Sequence, residues 1–501
     1  MFFPGRAIWL VVLLLSLLPA CGGGGSSGGS TGGLNDGSNN GDSTGNNTGD
    51  TDTPPNSSNT TTVSDVYDSF YVDIFDHGAV INNTGDVIAY WIESTDASSP
   101  LKVNHHTNGN WGTPLSIGSD IAMNVELAIN SSGDAMAVWE ERTFDAEGIG
   151  IVRHEVWAAH YLSGTWQTPV CISSTDPAPE DYSWYASNPD IALADDGTAL
   201  AVWTLSDSNS TNTDAVYYSK FDGSSWSESQ MLSNGTHWVN SLYVRIANNS
   251  LGNSVIAWLQ RRTSDPSSNS DVWGSVYMSG IFTTPQLIST DSLNDTESTT
   301  EPFVSINEND QAIVVWEELR DTAPTERVYA RRADSTGFVA TIDAVEGTSS
   351  PDLLDRPVVS IDDVGNLMVA WRRYVLGEST PTDAWYRTYD ITNSGWSTAT
   401  LYEDGDDDLQ LYLPLTTFTT SEFRVLWEDR LSQTAFNPAL RLRQVSVDNG
   451  PADTITNIGF GQDPVMATNS MGDSVVVAVK AGFVSTKFTT QLDAILVPSS
   501  P

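Results

Sequence analysis

The sequence feature that most constrains this chain is a twelve-residue stretch that recurs along its length. The stretch reads SSGDAMAVWEER at residues 131–142, and near-copies of it include NTGDVIAYWIES and DDGTALAVWTLS. Seven copies align on a tryptophan and an eighth has alanine in its place: Trp91, Trp139, Trp203, Trp258, Trp316, Trp371, Trp427 and Ala478. Successive copies lie 48 to 64 residues apart, and such a repeat predicts a stacked or closed array of similar units.

Each repeat shows the alternation of apolar and other residues that is typical of β-strands. Asn nine positions before the tryptophan and Gly six before it, as in Asn130 and Gly133, predict a tight turn between strands one and two. A third strand follows, and a second aromatic column marks the fourth: Trp111, Trp166, Trp226, Phe282, Phe338 and Trp396. The pattern predicts an all-β fold, a β-propeller of eight four-stranded blades, with seven blades as the alternative.

Two expectations about packing follow from this architecture. Both aromatic columns are expected to pack blade against blade, because each ring buries a large apolar surface. Closure of the ring removes exposed sheet edges, and residues 63–76 are expected to add a strand where the two chain ends meet.

The repeats resemble those of bacterial secreted proteins with sialidase-like and WD40-like propellers, in which G-x-A-x-A-V-W precedes an aromatic-rich strand and G-x-W. The resemblance covers residues 77–501 and implies the architecture. The sialidase Asp box, Ser-x-Asp-x-Gly-x-x-Trp, is absent, since the corresponding turns read FDGSSW at 221–226 and LSGTW at 162–166. We also identify no Arg triad with a Tyr–Glu pair, so the resemblance does not imply sialidase activity.

The first twenty residues have the form of an export signal. Arg6 precedes an apolar run, Ala7 to Leu18, that is too short to span a bilayer. The segment Leu18-Pro19-Ala20-Cys21 resembles a bacterial lipoprotein signal, residues 1–20, which implies cleavage before Cys21 and acylation of Cys21, including palmitate. Its alternative is an ordinary secretory signal. The resemblance implies a cell-envelope protein held to the membrane by its lipid, and Gly22 favours the outer membrane, at either its surface or its periplasmic face.

Residues 21–62 are rich in Gly, Ser, Asn and Thr and contain one large apolar residue, Leu34. Such a segment cannot bury enough surface to offset its ordering entropy, so it is predicted to be a disordered tether. Residues 63–501 are assigned to the propeller. The tether is expected to hold this domain roughly 35 Å from the lipid on average.

The amino-acid composition limits which partners and cofactors are expected. The net charge is −42 with only 22 Lys and Arg residues, which argues against nucleic acid as a partner. Once Cys21 is acylated, Cys171 is the only thiol left, so no internal disulfide forms. The protein is expected to be a monomer. No cofactor is predicted, although the acidic stretch EDGDDD offers Asp404, Asp406 and Asp408 to calcium or is simply a solvated loop.

Loop lengths indicate where a ligand would bind. Connections from strand two to three and from one repeat to the next are long and variable, whereas the other turns are short. In antiparallel blades both kinds of long connection emerge on one face, which we call the long-loop face. Variable loops on a rigid scaffold commonly form ligand-binding sites.

Charged residues that follow the repeat tryptophans are expected to reach the long-loop face. They are Glu140, Arg142, Arg261, Arg262, Glu317, Arg320, Arg372, Arg373, Glu428 and Arg430. One interpretation is a ring that binds a polar ligand such as a glycan, a peptide or a carboxylated sugar. The other is that these residues pair between adjacent blades and hold the ring together.

A second set of candidates comes from residues that precede a proline where strand one is expected to start, a position that tolerates a missing backbone donor. These residues, Asn188, Glu301, Arg356 and Asp463, are predicted to line the mouth of the central channel.

The leading hypothesis is a non-catalytic envelope lipoprotein whose propeller binds a polysaccharide or protein partner on its long-loop face. The second is a glycan hydrolase or lyase that uses acidic residues at the channel mouth, with catalytic residues not assigned. The third, which rests on architecture alone, is a scaffold for envelope assembly.

Overall fold

The computed structural model describes most of the chain beyond residue 59. The described residues are 60–65, 67–68, 73–94, 98–118, 121–144, 151–173, 184–207, 215–233, 238–261, 270–289, 298–319, 326–348, 353–374, 383–401, 415–419, 422–429, 437–447, 450–451, 455–484 and 487–499. The predicted signal, Cys21 and most of the predicted tether therefore lie outside the described residues. Residues 54–501 form one compact unit that contains all the described strands.

The described strands form eight antiparallel sheets, which we number as blades 1 to 8 in the order of their innermost strands. The innermost strands are Asp73–Ile81, Ile121–Ile129, Trp184–Leu193, Trp238–Asn248, Phe303–Ile306 with Ser298–Thr299, Leu353–Ile361, Leu415–Thr419 and Gln462–Thr468. The second strands are Val87–Ser94, Ala135–Phe144, Ala199–Asp207, Ser254–Arg261, Ala312–Leu319, Leu367–Tyr374, Glu422–Asp429 and Ser474–Val484. Every predicted repeat thus supplies one blade, and the eight-blade prediction is confirmed over the seven-blade alternative.

The outer half of each blade consists of a third strand and shorter outermost segments. The third strands are Leu101–Thr107, Ile151–Leu162, Ala215–Phe221, Ser270–Met278, Glu326–Asp334, Asp383–Asp390, Ala439–Ser446 and Lys487–Val497. The outermost segments of blades 1 to 7 are Asn110–Trp111, Leu115–Ile117, Thr165–Trp166, Val170–Cys171, Gln230–Met231, Ile281–Phe282, Gln286–Leu287, Gly337–Thr348, Gly395–Trp396, Thr400–Leu401, Gly450–Pro451 and Thr456–Phe460.

The ring is closed at blade 8. Each innermost strand contacts the next around the ring, and the last, Gln462–Thr468, contacts the first, Asp73–Ile81. The outermost strands of blade 8 come from the other end of the chain: Thr60–Thr62 and Tyr67–Asp68 pair antiparallel with Lys487–Val497.

The closing pairing confirms part of the prediction, since Tyr67–Asp68 lie within residues 63–76, but it also includes an earlier segment, Thr60–Thr62. Thr60–Thr62, which the sequence analysis places at the end of the tether, are paired in blade 8, while Asp73–Ile81 belong to blade 1. The physical reason is the free edge of Lys487–Val497, because unpaired backbone groups at that edge gain partners from the β-branched threonines. The folded domain therefore begins before residue 63.

The hydrophobic core is divided among the contacts between neighbouring blades. The seven aligned tryptophans are at most 2% exposed, and each faces the preceding blade in the ring. Trp139 of blade 2, for example, packs with Ile88 and Leu101 of blade 1. The prediction of blade-to-blade aromatic packing is confirmed.

The turns between strands one and two follow the predicted chemistry. The side chain of Asn130 accepts hydrogen bonds from the backbone N–H groups of Ser132 and Asp134, at 3.1 and 3.0 Å. Gly133 has φ of 86°, a conformation that glycine adopts without strain. The described residues include no helix with the length and apolar character that a membrane span requires.

Candidate functional site

The innermost strands carry a β-bulge that places a polar residue fifteen positions before the tryptophan of the blade, which we call the bulge position. In five blades this residue has a positive φ of 48 to 52°: Asp76, Asn124, Asn188, Arg356 and Asp463. Three of the four predicted channel-mouth residues are thus bulge residues. Glu301 occupies the same position in blade 5.

Of the prolines that follow these residues, Pro302 directly precedes the strand Phe303–Ile306, as expected, whereas the other three lie inside strands. Pro189 and Pro357 lie inside the strands Trp184–Leu193 and Leu353–Ile361, where the register shifts, and not at the strand starts. A bulge leaves an extra residue unpaired in the ladder, so a residue without an N–H is tolerated there.

Two of the predicted ligand-binding glutamates hold bulges of the neighbouring blade. Glu140 of blade 2 accepts a hydrogen bond from the backbone N–H of Asn188 in blade 3 at 3.2 Å, and its side chain is 1% exposed. Glu428 of blade 7 accepts one from the backbone N–H of Asp463 in blade 8, and it is fully buried. For these residues the geometry supports the second interpretation, in which they join adjacent blades.

The other residues that follow the tryptophans include buried Glu317 and Arg372, half-buried Arg373, and several that are not described. Glu317 is 6% exposed and accepts a hydrogen bond from the Thr300 hydroxyl at 3.4 Å. Arg372 is buried, and the guanidinium of Arg373 lies 5.5 Å from the ring centre of Trp385. The side chain of Arg261 and the residues Arg262, Arg320, Arg430, Asp404, Asp406 and Asp408 lie outside the described part of the chain.

Glu140 has the most elaborate polar surroundings of this set. Its carboxylate contacts Asn124, lies 2.5 Å from His154 Nε2 and 3.6 Å from Arg142 Nη2. Burial acts to raise the pKa of Glu140, but the hydrogen bonds and charges of His154, Asn124 and Arg142 outweigh it and lower the pKa. Glu140 is therefore held in its ionised form.

A second charged cluster spans the ring. Arg245 on the innermost strand of blade 4 contacts Glu301 of blade 5, and its Nη1 lies 3.7 Å from Glu126 Oε1 of blade 2. The three side chains are 31%, 27% and 27% exposed, so they are neither buried in a core nor fully solvated. We call Glu126, Arg245 and Glu301 the axial cluster, because their innermost strands surround the ring axis.

Two further ionisable groups adjoin the axial cluster. Asp190 of blade 3 accepts hydrogen bonds from the backbone N–H groups of Ile191 and Ile246 at 2.8 and 2.9 Å. Burial raises the pKa of Asp190, and Glu301 adds to this effect while Arg245 opposes it. Tyr243 occupies the bulge position of blade 4, and burial and the charge of Glu301 raise its pKa.

The structure brings some of the predicted channel-mouth residues together and separates others. Glu301 and Arg356 both act electrostatically on Tyr243, so blades 4, 5 and 6 contribute to one polar group. Asn188 and Asp463 instead have their backbone N–H groups bound to glutamates of the preceding blades.

Sequence reasoning missed Glu126, Asp190 and Arg245. Each lies thirteen positions before the tryptophan of its blade, two residues before the column of mostly small residues that includes Ala128, Ala192 and Ala247. Because side chains two apart share one face of a strand, extending that column would have identified three charged residues on successive blades.

Among the described residues, no three His, Cys, Asp or Glu side chains are grouped as a metal site would require.

Comparison with known proteins finds only solved structures of low similarity. No family model and no curated protein matches the sequence. Among solved structures, an α-L-arabinanase from Penicillium chrysogenum in complex with arabinobiose is 14% identical, with 62% of this chain and 93% of that chain covered and a TM-score of 0.36. A polysaccharide lyase is 10% identical, with 85% and 89% covered and a TM-score of 0.43.

The β-propeller domain of a trilobed protease from Pyrococcus furiosus, described with an open velcro topology, is 7% identical. The match covers 77% of this chain and 95% of that chain, with a TM-score of 0.41. At these identities and TM-scores, no property of these proteins is assigned to this chain.

Proposed function

We propose that this chain is an envelope-anchored lipoprotein whose propeller binds a polar polysaccharide at the long-loop face and the adjoining ring axis. The observation that supports the proposal is the axial cluster, in which Arg245 contacts Glu301 and approaches Glu126 while all three remain about a quarter to a third exposed. Charged groups that are partly shielded from water gain more from a hydrogen-bonding ligand than fully solvated ones do.

The chemistry of the axial cluster suits sugar hydroxyls. A hydroxyl donates to a carboxylate and accepts from a guanidinium, so one polyhydroxylated ligand satisfies both kinds of group. Tyr243 adds a phenol that donates or accepts, and Arg356 adds an exposed cation at the bulge position of blade 6. A binding experiment would distinguish a polysaccharide ligand from a protein partner.

The proposal assigns the amino-terminal segment to anchoring. Acylation of Cys21 and a tether of about forty residues would hold the propeller near the outer membrane and leave its long-loop face accessible. Cys21→Ser is expected to move the protein from the membrane fraction to the soluble fraction of cells. Protease treatment of intact cells would then distinguish surface from periplasmic exposure.

Binding is tested with the compact unit of residues 54–501, which retains the strand that closes blade 8. We expect it to bind members of a glycan array. Glu301→Gln and Arg245→Gln are each expected to weaken that binding at least about tenfold, because each removes a charged hydrogen-bonding group. Glu228→Gln, an exposed carboxylate in the outer part of blade 3, is the matched control. A protein captured in a pull-down without glycan binding would favour a protein partner, and failure of both experiments would contradict the proposal.

A glycan hydrolase or lyase is the second candidate, because Glu301 and Tyr243 occupy bulge positions of adjacent blades. The phenol of Tyr243 is protonated at neutral pH, as a general acid requires, while its raised pKa makes that proton harder to release. Tyr243→Phe and Glu301→Gln would then abolish turnover of a polysaccharide even at concentrations that saturate the weakened binding. Binding without turnover by the unaltered protein would exclude this candidate for the glycans tested.

A further inference from the structure

The turns from strand one to two and from strand three to four lie opposite to the long-loop face, because strands one and three of an antiparallel blade run in the same direction. We call this side the short-turn face. Thr60 pairs with Ile495, near the end of the last strand, Lys487–Val497. The final residue of that strand pairs with Ser474, which directly follows the one-to-two turn of blade 8. The chain therefore enters the folded domain at the short-turn face.

Three turns of the short-turn face expose a large apolar side chain. Leu251, Val364 and Met471 occupy the same position in the one-to-two turns of blades 4, 6 and 8, directly before the turn glycine. They are 71%, 47% and 62% exposed. The equivalent residues of blades 1 and 2 are Thr84 and Ser132, so the turn does not require an apolar side chain there. The local fold thus gives no reason for placing these three side chains in water.

Two further apolar residues flank turns between strands three and four on the same face. Leu162 in blade 2 and Ile281 in blade 4 are 41% and 73% exposed. Single apolar residues scattered over a surface need no explanation, but these residues share one face and lie at its turns. We call Leu162, Leu251, Ile281, Val364 and Met471 the apolar tips. Turns are the outermost backbone of this face, so an apolar surface laid against it would contact these side chains.

The charged groups of the turns indicate which kind of surface fits. Asp195 accepts a hydrogen bond from the backbone N–H of Ser131 in the preceding blade at 2.9 Å, and Glu308 accepts one from that of Ser250 at 3.2 Å. Asp195 and Glu308 hold neighbouring turns together and remain exposed. The described residues of these turns include no Lys or Arg. Such a face is repelled by anionic lipid and is compatible with zwitterionic lipid.

The predicted tether allows a small apolar area to hold the propeller against lipid. About forty residues separate Cys21 from Thr60, which gives an average reach of roughly 35 Å. A flexible linker of this kind keeps its two ends at an effective concentration up to the millimolar range. Side chains whose contact with lipid is too weak to retain a free protein therefore suffice once the chain is anchored.

We propose that the short-turn face rests on a zwitterionic lipid surface through the apolar tips and directs the long-loop face away from the membrane. In the cell this contact rests on the proposed function, because acylation of Cys21 supplies the anchor. The orientation keeps the proposed glycan site open to solvent. A chain that entered the propeller at the long-loop face would instead hold that site towards the lipid.

The contact is tested with an anchor that does not depend on acylation. Residues 22–501 with an amino-terminal polyhistidine would be bound to phosphatidylcholine vesicles that contain a small fraction of nickel-chelating lipid. A fluorophore is attached in blade 5, in a Cys171→Ser background, either at Ser335→Cys in an exposed turn of the short-turn face or at Ala344→Cys, an exposed residue further from that face. We expect lipid with brominated acyl chains to quench the label at 335 at least about fivefold more than the label at 344. Equal quenching at the two positions would overturn the proposal, and this comparison needs no variant of the apolar tips.

A triple variant tests the apolar tips themselves. Leu251→Ser, Val364→Ser and Met471→Ser place at each turn the residue that blade 2 has there. We expect this variant to lose most of the difference between the two labels, because the tether alone leaves the propeller free to rotate. The matched control replaces three apolar residues of the outermost segments of blades 1 to 3, each about half exposed, and should keep the difference. These replacements are Leu115→Ser, Val170→Ser and Met231→Ser. Loss of the difference in both triple variants, or in neither, would overturn the assignment to the apolar tips.

The lipid composition tests the choice of surface. Replacement of most of the phosphatidylcholine by phosphatidylglycerol should reduce quenching at position 335, because the carboxylates of the face then meet anionic headgroups. Equal quenching on both lipids would overturn the zwitterionic assignment. A failure of Cys21 acylation or of glycan binding would count against the proposed function and would leave the vesicle result decisive for the lipid contact, since the polyhistidine supplies the anchor.

Discussion

At the scale of single residues, some of the repeat tryptophans are held by polar partners as well as by packing. The indole N–H of Trp258 donates to Gln260 Oε1 at 2.9 Å, and Trp139 donates in the same way to Glu141 at 3.0 Å. In these two blades the acceptor lies two residues after the tryptophan, on the same face of the strand, so the strand that buries the indole also supplies its acceptor. Trp371, which is followed two residues later by Arg373, has no such acceptor, and its indole nitrogen has no hydrogen-bond partner among the described residues.

Trp258→Phe is therefore expected to lower the free energy of unfolding through lost packing and through an unpaired Gln260 oxygen, by about 3 kcal/mol in total. The Gln260 amide nitrogen has no hydrogen-bond partner among the described residues, so Gln260→Leu removes little else. The double variant Trp258→Phe with Gln260→Leu should recover about 1 kcal/mol in chemical denaturation. A double variant no more stable than Trp258→Phe would contradict this account.

A second residue-scale prediction concerns His105, which joins blades 1 and 2. His105 Nε2 accepts a hydrogen bond from the indole of Trp166 at 2.9 Å, and its ring stacks on Tyr161 with a centroid distance of 4.3 Å. Burial lowers the pKa of His105 to about 4, so the unfolded chain binds a proton at a higher pH than the folded one.

The free energy of unfolding should therefore fall as the pH drops from about 6.5 to about 4, and the contribution of His105 should be constant outside that window. His105→Gln is expected to reduce this loss, which denaturation at a series of pH values would measure. An unchanged pH profile in His105→Gln would count against the assignment.

At the scale of elements, the turn between strands one and two also connects blades. The side-chain amide of Asn307 donates to the carbonyl of Asp362 in the next blade at 2.8 Å, and that of Asn469 donates to Asn82 at 2.9 Å. A motif that predicts only a local turn thus also contributes contacts to the ring, because the turns of neighbouring blades lie side by side.

Two glycines of these turns allow the cost of the local backbone conformation to be measured separately from the contact between blades. Gly252 has φ of 77°, and a Cβ there would lie 3.0 Å from the Cβ of Ala194 in blade 3. Gly85 has φ of 81° and no atom within 4 Å of such a Cβ. Gly85→Ala should cost about 1 kcal/mol for its left-handed backbone alone, and Gly252→Ala should cost more. Equal losses in chemical denaturation would show that the blade contact at Gly252 is unimportant.

At the scale of the whole molecule, stability depends on joining the two chain ends. Val63 is 1% exposed in the core between blades 8 and 1, and its N–H donates to the Leu492 carbonyl at 2.9 Å. The hydroxyl of Thr62 donates to the buried carboxylate of Asp493 at 2.7 Å. Removal of this segment would expose a sheet edge and part of one blade interface together.

A fragment of residues 66–501 is accordingly expected to be less stable than residues 54–501 by at least about 2 kcal/mol, the value of burying one valine. Residues 60–501 retain the closing strand and are the matched control, with stability close to that of the longer fragment. Thermal unfolding would measure both differences. Equal stability of all three fragments would exclude a closing role for Thr60–Val63.

The sequence by itself determined the strand order within a blade, the tight turns and the burial of the tryptophans, and it predicted eight blades with seven as the alternative. These properties follow from spacing and alternation within about fifty residues, where covalent connection sets the geometry. Only the tertiary structure decided which charged residues meet, because Glu126, Arg245 and Glu301 come together through the curvature of the closed ring. The burial of Glu140 likewise depends on a bulge in the next blade, and the start of the domain depends on the free edge of the last strand.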